Sequence, residues 1–97
     1  MAQVQIIARH TIKEGHVEAV LNMLGDFIDA AREEPGNLAF DSYRKIGDER
    51  SYVLLERYAS REALQVHRST RHFTGLLLGQ IVPLLDSRTV EEYDVPD

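Results

Sequence analysis

Hydrophobic and polar residues follow two different periods along the chain, and these periods predict most of its elements. Strict alternation over residues 3–12 predicts a strand whose more apolar face carries Val4, Ile6, Ala8, His10 and Ile12. From His16 to Glu34 the apolar residues recur every three or four positions, which predicts an amphipathic helix. The Glu34-Pro35-Gly36 turn ends this helix, because proline cannot continue it.

Two further strands are predicted over residues 38–45 and 51–58. The loop between them is short, polar and contains Gly47, so the strands should be antiparallel neighbours. In the second of them Tyr52, Leu54, Glu56 and Tyr58 share one face, whereas residues 53, 55 and 57 share the other. Large apolar side chains therefore occupy both faces. Because helices cover only one face, we expect the other to pair with a second copy of the chain as a homodimer.

The second half of the chain predicts two more helical segments and a final strand. Ser60 is a natural N-cap, and the spacing of Ala63, Leu64 and His67 turns the histidine toward the apolar side. Thr70 can cap a further helix, which Pro83 bends or ends; its apolar side carries Phe73, Leu76, Leu77, Ile81, Leu84 and Leu85. A last strand over residues 88–95 closes the domain.

The order of these elements predicts the fold class. Strand, helix, strand, strand, helix, strand is the ferredoxin-like split βαβ arrangement, an α+β fold with an antiparallel sheet and helices on one face. The 97 residues make one domain, residues 1–97. A chain of this length buries only about 60 to 65 % of the surface that it exposes when unfolded, so a partner subunit would help to stabilise it.

Charge and composition exclude several classes of function. With 16 acidic and 11 basic side chains and no basic cluster, the chain is unsuited to bind a nucleic acid. No apolar run approaches the roughly 20 residues that cross a bilayer, and residues 1–4 begin a strand pattern rather than a leader, so we expect a cytoplasmic protein with no membrane partner. The absence of cysteine excludes disulfides, a thiol nucleophile and cysteine-bound metals.

Metal and nucleotide sites are not predicted either. His67 and His72 lie five positions apart rather than the three or four that place two ligands on one helical face, and His10 and His16 flank a turn. The glycines at 75 and 79 fall within a helical pattern and form no phosphate-binding loop.

Several short motifs together resemble one known family. They are the turn over 34–36 followed by Leu38, Phe40 and Tyr43, the segment 56–60, the helix 63–67 and the pair His72-Phe73. In this order and spacing they resemble the antibiotic biosynthesis monooxygenase domain family. The resemblance implies a dimeric α+β barrel, with a small-molecule pocket in each subunit between helices and sheet. Many members carry tryptophan where Tyr58 stands here.

The family resemblance also implies an activity. Members include enzymes that oxidise phenols or hydroquinones to quinones with dioxygen as co-substrate and without flavin, haem or metal, so no cofactor is expected; others isomerise or merely bind small molecules. A related branch degrades haem with an asparagine, a tryptophan and a histidine. The corresponding residues here are Ala8, His67 and Leu77, so haem degradation is not implied.

We therefore interpret the chain as a cofactor-independent monooxygenase for a small aromatic substrate. His67 is the candidate base, because imidazole titrates closest to physiological pH and this one faces inward. Glu56 is the candidate group that orients or polarises it. Tyr43 and Tyr58 are candidates to hydrogen-bond a substrate oxygen, with their rings against the pocket.

His72 and Phe73 are the remaining candidates for substrate binding, at the pocket mouth, although His72 is equally suited to a solvated first turn. Structural alternatives remain for the other positions: Glu56 and His67 could pair only to tie helix to sheet, and both tyrosines could be core aromatics. The function also has alternatives. The same base could move a proton next to a carbonyl in an isomerase, or the dimer could bind a small molecule without catalysis.

Overall fold

A computed structural model describes residues 2–96; Met1 and Asp97, the ends of the predicted domain, lie outside the described residues. Its elements are β1 (Gln3–Ile12), α1 (Val17–Arg32), β2 (Asn37–Arg44), β3 (Ser51–Tyr58), α2 (Arg61–Ser69), α3 (His72–Ile81) and β4 (Leu85–Val95). The predicted order of strands and helices, with the second helical region in two parts, is therefore confirmed.

The four strands form one antiparallel sheet in the order β2-β3-β1-β4. The central strand β1 places His10 opposite Tyr52 on one side and opposite Arg88 on the other. On the outer pair, Phe40 of β2 lies opposite Glu56 of β3. These residues share the face covered by the helices, because directly opposed residues of antiparallel strands point the same way. The ferredoxin-like α+β fold is confirmed.

The hydrophobic core lies between this sheet face and helix α1. The helix buries the stripe Val20, Leu24, Phe27 and Ala31, as its apolar spacing predicted. Phe27 is fully buried and packs edge-to-face against Phe40, with ring centroids 5.6 Å apart. Burial of one such ring stabilises the fold by about 1.5 to 3 kcal/mol.

Helix α1 ends at Arg32, two residues before the predicted end at Glu34. The helical conformation is disfavoured for the residue before a proline, and Pro35 imposes this limit on Glu34. The side chain of Arg32 then donates to the carbonyl of Phe40 at 3.0 and 2.7 Å. This contact fixes the end of the helix to strand β2.

The turn after α1 is held against the start of α2. A β-carbon at Gly36 would overlap the β-carbon of Ala63, so only glycine allows this approach. The carbonyl of Gly36 also accepts a hydrogen bond from the amide of Ala59 at 2.9 Å. Glu34 is thereby placed beneath helix α2.

The last helical segment differs from the prediction. Helix α3 is a π-helix: the amide of Val82 donates to the carbonyl of Leu77, five residues back. A short 3₁₀ turn containing Pro83 follows, because proline cannot donate into the helical ladder. Leu85 therefore lies in strand β4, which begins three residues before the predicted start at residue 88, rather than on a helix.

Both predicted helix caps are present. The Ser60 hydroxyl accepts from the amide of Ala63 at 3.1 Å, and the Thr70 hydroxyl accepts from the amide of Phe73 at 3.2 Å. None of the helices within residues 2–96 has the length and apolar character that crossing a membrane requires.

Candidate functional site

Four polar side chains are buried within the described part of the chain, and three of them meet beneath helix α2. The four are His10, Glu34, Glu56 and His67, each at most 9 % exposed. Burying a charged or polar group costs free energy unless it is paired. A buried group of this kind therefore indicates a structural network or a site of chemistry.

Glu34 holds two histidines through one carboxylate oxygen. Its Oε2 atom lies 2.8 Å from Nδ1 of His67 and 2.5 Å from Nε2 of His72, both of which donate to it. The bond to Nδ1 fixes the tautomer of His67 and leaves its Nε2 atom without a proton. This is the arrangement of a carboxylate-oriented base.

The free Nε2 atom of His67 faces Glu56 across a small cavity. It lies 3.8 Å from Oε1 of Glu56, which is too long for a hydrogen bond. The cavity has a volume of about 30 Å³, enough to hold a water-sized group. His10, Phe73 and Arg88 also line it, so polar and apolar groups converge on the same space.

Tyr58 holds Glu56 in place through a hydrogen bond. Its hydroxyl donates to Oε1 of Glu56 at 2.7 Å, and the whole side chain is buried. Burial and the adjacent Glu56 raise the pKa of Tyr58 far above its ordinary value, so the hydroxyl keeps its proton and remains a donor. Because this proton is engaged, the predicted hydrogen bond from Tyr58 to a substrate is replaced by one to Glu56.

Burial shifts the two groups at the cavity in opposite directions. It raises the pKa of Glu56 to about 7, although the Tyr58 hydrogen bond and Arg88 oppose the shift. It lowers the pKa of His67, although Glu34 opposes that shift. At neutral pH His67 is therefore uncharged, and Glu56 lies near its midpoint between acid and base. Groups with pKa values near the working pH are suited to proton transfer.

The other predicted site residues separate into two groups. Phe73 lines the cavity, and its ring centroid lies 5.2 Å from that of His67. His72 does not line it; partly exposed, it binds Glu34 from outside. Tyr43 needs correction: it pairs with Val53 on the opposite face of the sheet and is 59 % exposed, so it cannot reach this cavity.

Sequence reasoning gave no role to several residues of the site, among them Glu34, His10 and Arg88. Glu34 was assigned only to a turn, although an acid in that position, just before Pro35 and Gly36, belongs to the motif that carried the resemblance. His10 was placed on the apolar face of β1 but given no role. A histidine among four aliphatic residues of one strand face was the available signal.

The absence of a predicted ligand cluster also needs correction. Glu34, His67 and His72 bring ligand atoms within 4.8 Å of one another. The five-residue spacing of the histidines did not exclude this, because they lie on separate helices. Imidazole and carboxylate are zinc ligands, so the three residues could hold a divalent metal. Their 2.8 and 2.5 Å separations are those of hydrogen bonds.

Replacement of Glu56 by glutamine should change how stability depends on pH. A folded-state pKa of about 7 lies above the ordinary 4.5, so the stability associated with protonated Glu56 is fully present below about pH 4.5 and is lost as pH rises to about 7. Glu56→Gln stays neutral. Its free energy of unfolding relative to wild type should therefore rise by up to about 3 kcal/mol across that window.

Denaturant unfolding at several pH values measures this difference. Groups that are common to both proteins largely cancel from it. Glu49→Gln, which changes an exposed carboxylate, is the matched control and should give a flat difference. A difference for Glu56→Gln that is constant from pH 4.5 to 7 would contradict the raised pKa.

Comparisons with known proteins give consistent similarities. Residues 4–76 match the family described as antibiotic biosynthesis monooxygenase. The Bacillus subtilis protein named "Putative monooxygenase YcnE" is 30 % identical over 66 residues, covering 68 % of this chain and 70 % of that protein.

Two solved structures share the fold along almost the whole chain. A crystal structure of an antibiotic biosynthesis monooxygenase is 29 % identical with a TM-score of 0.89, covering 97 % of this chain and 99 % of its own. Rv0793 from Mycobacterium tuberculosis is 31 % identical with a TM-score of 0.88, covering 98 % of this chain and 96 % of its own.

Proposed function

Because the chain belongs to the antibiotic biosynthesis monooxygenase family, we propose that it is a cofactor-independent monooxygenase that oxidises a small phenol or hydroquinone to a quinone with dioxygen. One observation carries the proposal: His67, held at Nδ1 by Glu34, turns its free Nε2 atom toward Glu56 across a cavity. A neutral imidazole in that position is a base for a phenolic hydroxyl.

The reaction follows from removal of that proton. His67 takes the hydroxyl proton, and the resulting phenolate transfers one electron to dioxygen. Superoxide and the phenoxyl radical combine at a ring carbon that carries hydrogen, and the resulting peroxide anion takes the proton from His67 to become a hydroperoxide. Loss of water then leaves the quinone, so one oxygen atom enters the product and the other becomes water, without an external reductant. Glu56, near its midpoint, can pass protons in the later steps.

The size of the cavity determines how a substrate would enter. A space of about 30 Å³ accepts an oxygen atom with its hydrogen but not an aromatic ring. The reacting hydroxyl therefore belongs between His67 and Glu56. The ring belongs nearer the mouth, where Phe73 supplies an aromatic edge and Val90 is 41 % exposed.

The proposal requires no metal or organic cofactor, because the substrate anion itself supplies the electron. Its test must nevertheless separate this route from one through a divalent metal at Glu34, His67 and His72. Protein treated with a chelator and then dialysed should retain its rate. Restoration of a lost rate by added Zn²⁺ or Fe²⁺ would favour the metal route.

Oxygen uptake over a panel of phenols and hydroquinones is the direct experiment. We expect uptake above autoxidation, one quinone formed for each dioxygen consumed, no accumulation of hydrogen peroxide, and one atom of ¹⁸O₂ in the product. Hydrogen peroxide in place of labelled product would indicate an oxidase. No uptake, together with exchange of a C–H proton next to a carbonyl in deuterated water, would favour the isomerase.

The homodimer is the second part of the proposal, with the face of the sheet opposite the helices as the interface. Val53 and Leu55 lie half-buried on this face in the isolated chain, beside exposed Tyr43. Two such faces would cover each other's apolar side chains, as a small domain requires.

Replacement of Leu55 by lysine should convert the protein from dimer to monomer. Leu55 lies opposite Asp41 in the β2-β3 ladder, so a lysine would find a carboxylate beside it and the isolated chain would still fold. Size-exclusion chromatography with light scattering measures the mass. Ile46→Lys is the control, since Ile46 is 99 % exposed in a loop away from this face. A wild-type monomer, or a Leu55→Lys dimer, would contradict the interface.

A further inference from the structure

His10 and Arg88 are direct neighbours across the β1-β4 ladder, and both line the cavity. His10 is 2 % exposed, and its Nε2 atom is buried without a hydrogen-bond partner anywhere in residues 2–96. A buried polar atom without a partner costs roughly 1 to 3 kcal/mol. Because this atom belongs to a cavity-lining side chain, a bound ligand is the natural partner for it.

The protonation of His10 makes the Nε2 atom a donor. Its Nδ1 atom lies 2.7 Å from the hydroxyl of Tyr52. Burial raises the pKa of Tyr52 well above its ordinary value, so this hydroxyl keeps its proton and can donate it to Nδ1. Burial lowers the pKa of His10 to about 4, so the ring carries a single proton at neutral pH. That proton then resides on Nε2.

Arg88 differs from the neighbouring Arg61 and Arg68 in having no acidic side chain among residues 2–96 as a direct partner. Arg61 pairs with Glu92 and Asp94, and Arg68 pairs with Glu92, so the acidic side chains of β4 on this face are already engaged. Arg88 makes no ion pair or hydrogen bond with another residue in the described part of the chain, and the carboxylate that attracts it most is that of Glu56, which lines the same cavity. Its guanidinium remains available to a ligand at the mouth of the cavity.

We propose that His10 and Arg88 form a subsite for the carboxylate of an aromatic substrate, so that the substrate class is a phenol that also carries an acid group. The inference rests on the proposed function only in taking this cavity as the substrate site. A guanidinium presents two parallel donors that match a carboxylate, and Nε2 of His10 adds a third donor. Because the cavity of about 30 Å³ admits no ring, a substrate whose far hydroxyl also reaches His67 and Glu56 has to widen the cavity as it binds.

The overall charge sharpens the test of this subsite. The protein carries a net charge of −5, which disfavours anions at long range. A preference for an anion over a neutral molecule of the same shape must therefore come from a local cation. Two ligands of nearly the same shape, one with a carboxylate and one with a neutral carboxamide, can measure the contribution of Arg88.

The ligands are 4-hydroxybenzoate and 4-hydroxybenzamide, used without oxygen so that no turnover occurs. Isothermal titration calorimetry gives the dissociation constant of each for wild type, Arg88→Gln and Arg71→Gln. Arg71 is exposed and does not line the cavity, which makes it the matched control. We expect wild type and Arg71→Gln to bind the benzoate at least tenfold more tightly than the amide. The preference should fall below threefold in Arg88→Gln, with affinity for the amide unchanged.

Three results would overturn the subsite. They are equal affinity of wild type for benzoate and amide, an equal decrease in affinity for both ligands in Arg88→Gln, and unchanged affinity for both ligands in that variant. The outcome is distinguishable from that of the proposed function. If the protein oxidises neutral phenols but does not prefer benzoate, the proposed function is supported and the subsite is contradicted. A protein that shows an Arg88-dependent preference but consumes no oxygen keeps the subsite and loses the oxygenase proposal.

Discussion

Replacement of His67 by asparagine should lower kcat/KM for oxygen consumption by at least about 100-fold, the contribution expected of a positioned general base. The asparagine amide nitrogen occupies the place of Nδ1, so it can still donate to Glu34 at the observed site. The variant loses the outer part of the ring, which carries the nitrogen that faces Glu56 and packs beside Tyr58 and Phe73. Its thermal unfolding midpoint should therefore fall by several degrees, and the rates are compared at a temperature where both proteins remain folded.

His72→Gln is the matched comparison for this experiment. The glutamine amide nitrogen takes the place of Nε2, the atom of His72 that binds the same Glu34 oxygen. Since His72 does not line the cavity, the rate should change by no more than about tenfold. Equal losses in the two variants would show that the rate does not depend specifically on the His67 nitrogen that faces the cavity. A full rate in His67→Asn would remove His67 from the chemistry.

Replacement of Glu34 by alanine should lower the free energy of unfolding by about 3 kcal/mol, among the largest single-residue effects expected in this chain. The carboxylate is almost fully buried and accepts hydrogen bonds from two imidazoles. Its removal leaves Nδ1 of His67 buried without a hydrogen-bond partner, and this unpaired donor accounts for most of the lost free energy of unfolding. Without Glu34, no hydrogen bond holds the proton of His67 on Nδ1, so the rate should fall together with the stability.

Urea unfolding of Glu34→Ala and Glu33→Ala measures the stability difference. Glu33 is the adjacent, exposed carboxylate, and its replacement should cost less than about 0.5 kcal/mol. A double-mutant cycle of Glu34→Ala with His67→Ala, which removes both partners of the hydrogen bond, then isolates the pair. We expect a coupling of 1 kcal/mol or more. If the alanine variants at 33 and 34 are equally stable, the buried hydrogen bonds contribute nothing.

The elements that could be predicted from the sequence are those fixed by local patterns. Alternation gave β1 and β3 with their observed bounds, and helical spacing turned His67 inward as observed. These predictions succeed because the face that a residue occupies depends on its immediate neighbours. The same reasoning placed Glu56 and His67 toward each other, since one ends a strand and the other follows on the next helix.

The contacts that could not be predicted are those between distant elements. Glu34 reaches His67 across 33 residues, and the approach depends on how closely the turn packs against α2. The spacing rule failed for His67 and His72 because the chain leaves one helix and enters another at Thr70. The sequence also did not reveal that α3 is a π-helix. Its buried residues Leu77 and Ile81 are four positions apart, and residues with that spacing lie on the same side of an α-helix and of a π-helix.

The contact between Gly36 and Ala63 sets the depth of the imidazole. The two backbones meet with no space for even one added methyl group at position 36. Helix α2 therefore cannot pack any closer to the turn at Gly36. This contact determines how far His67, one turn further along the helix, lies from Glu34. Two of the smallest side chains in the sequence, neither of which lines the cavity, thus act as the spacer that brings a base within reach of its carboxylate.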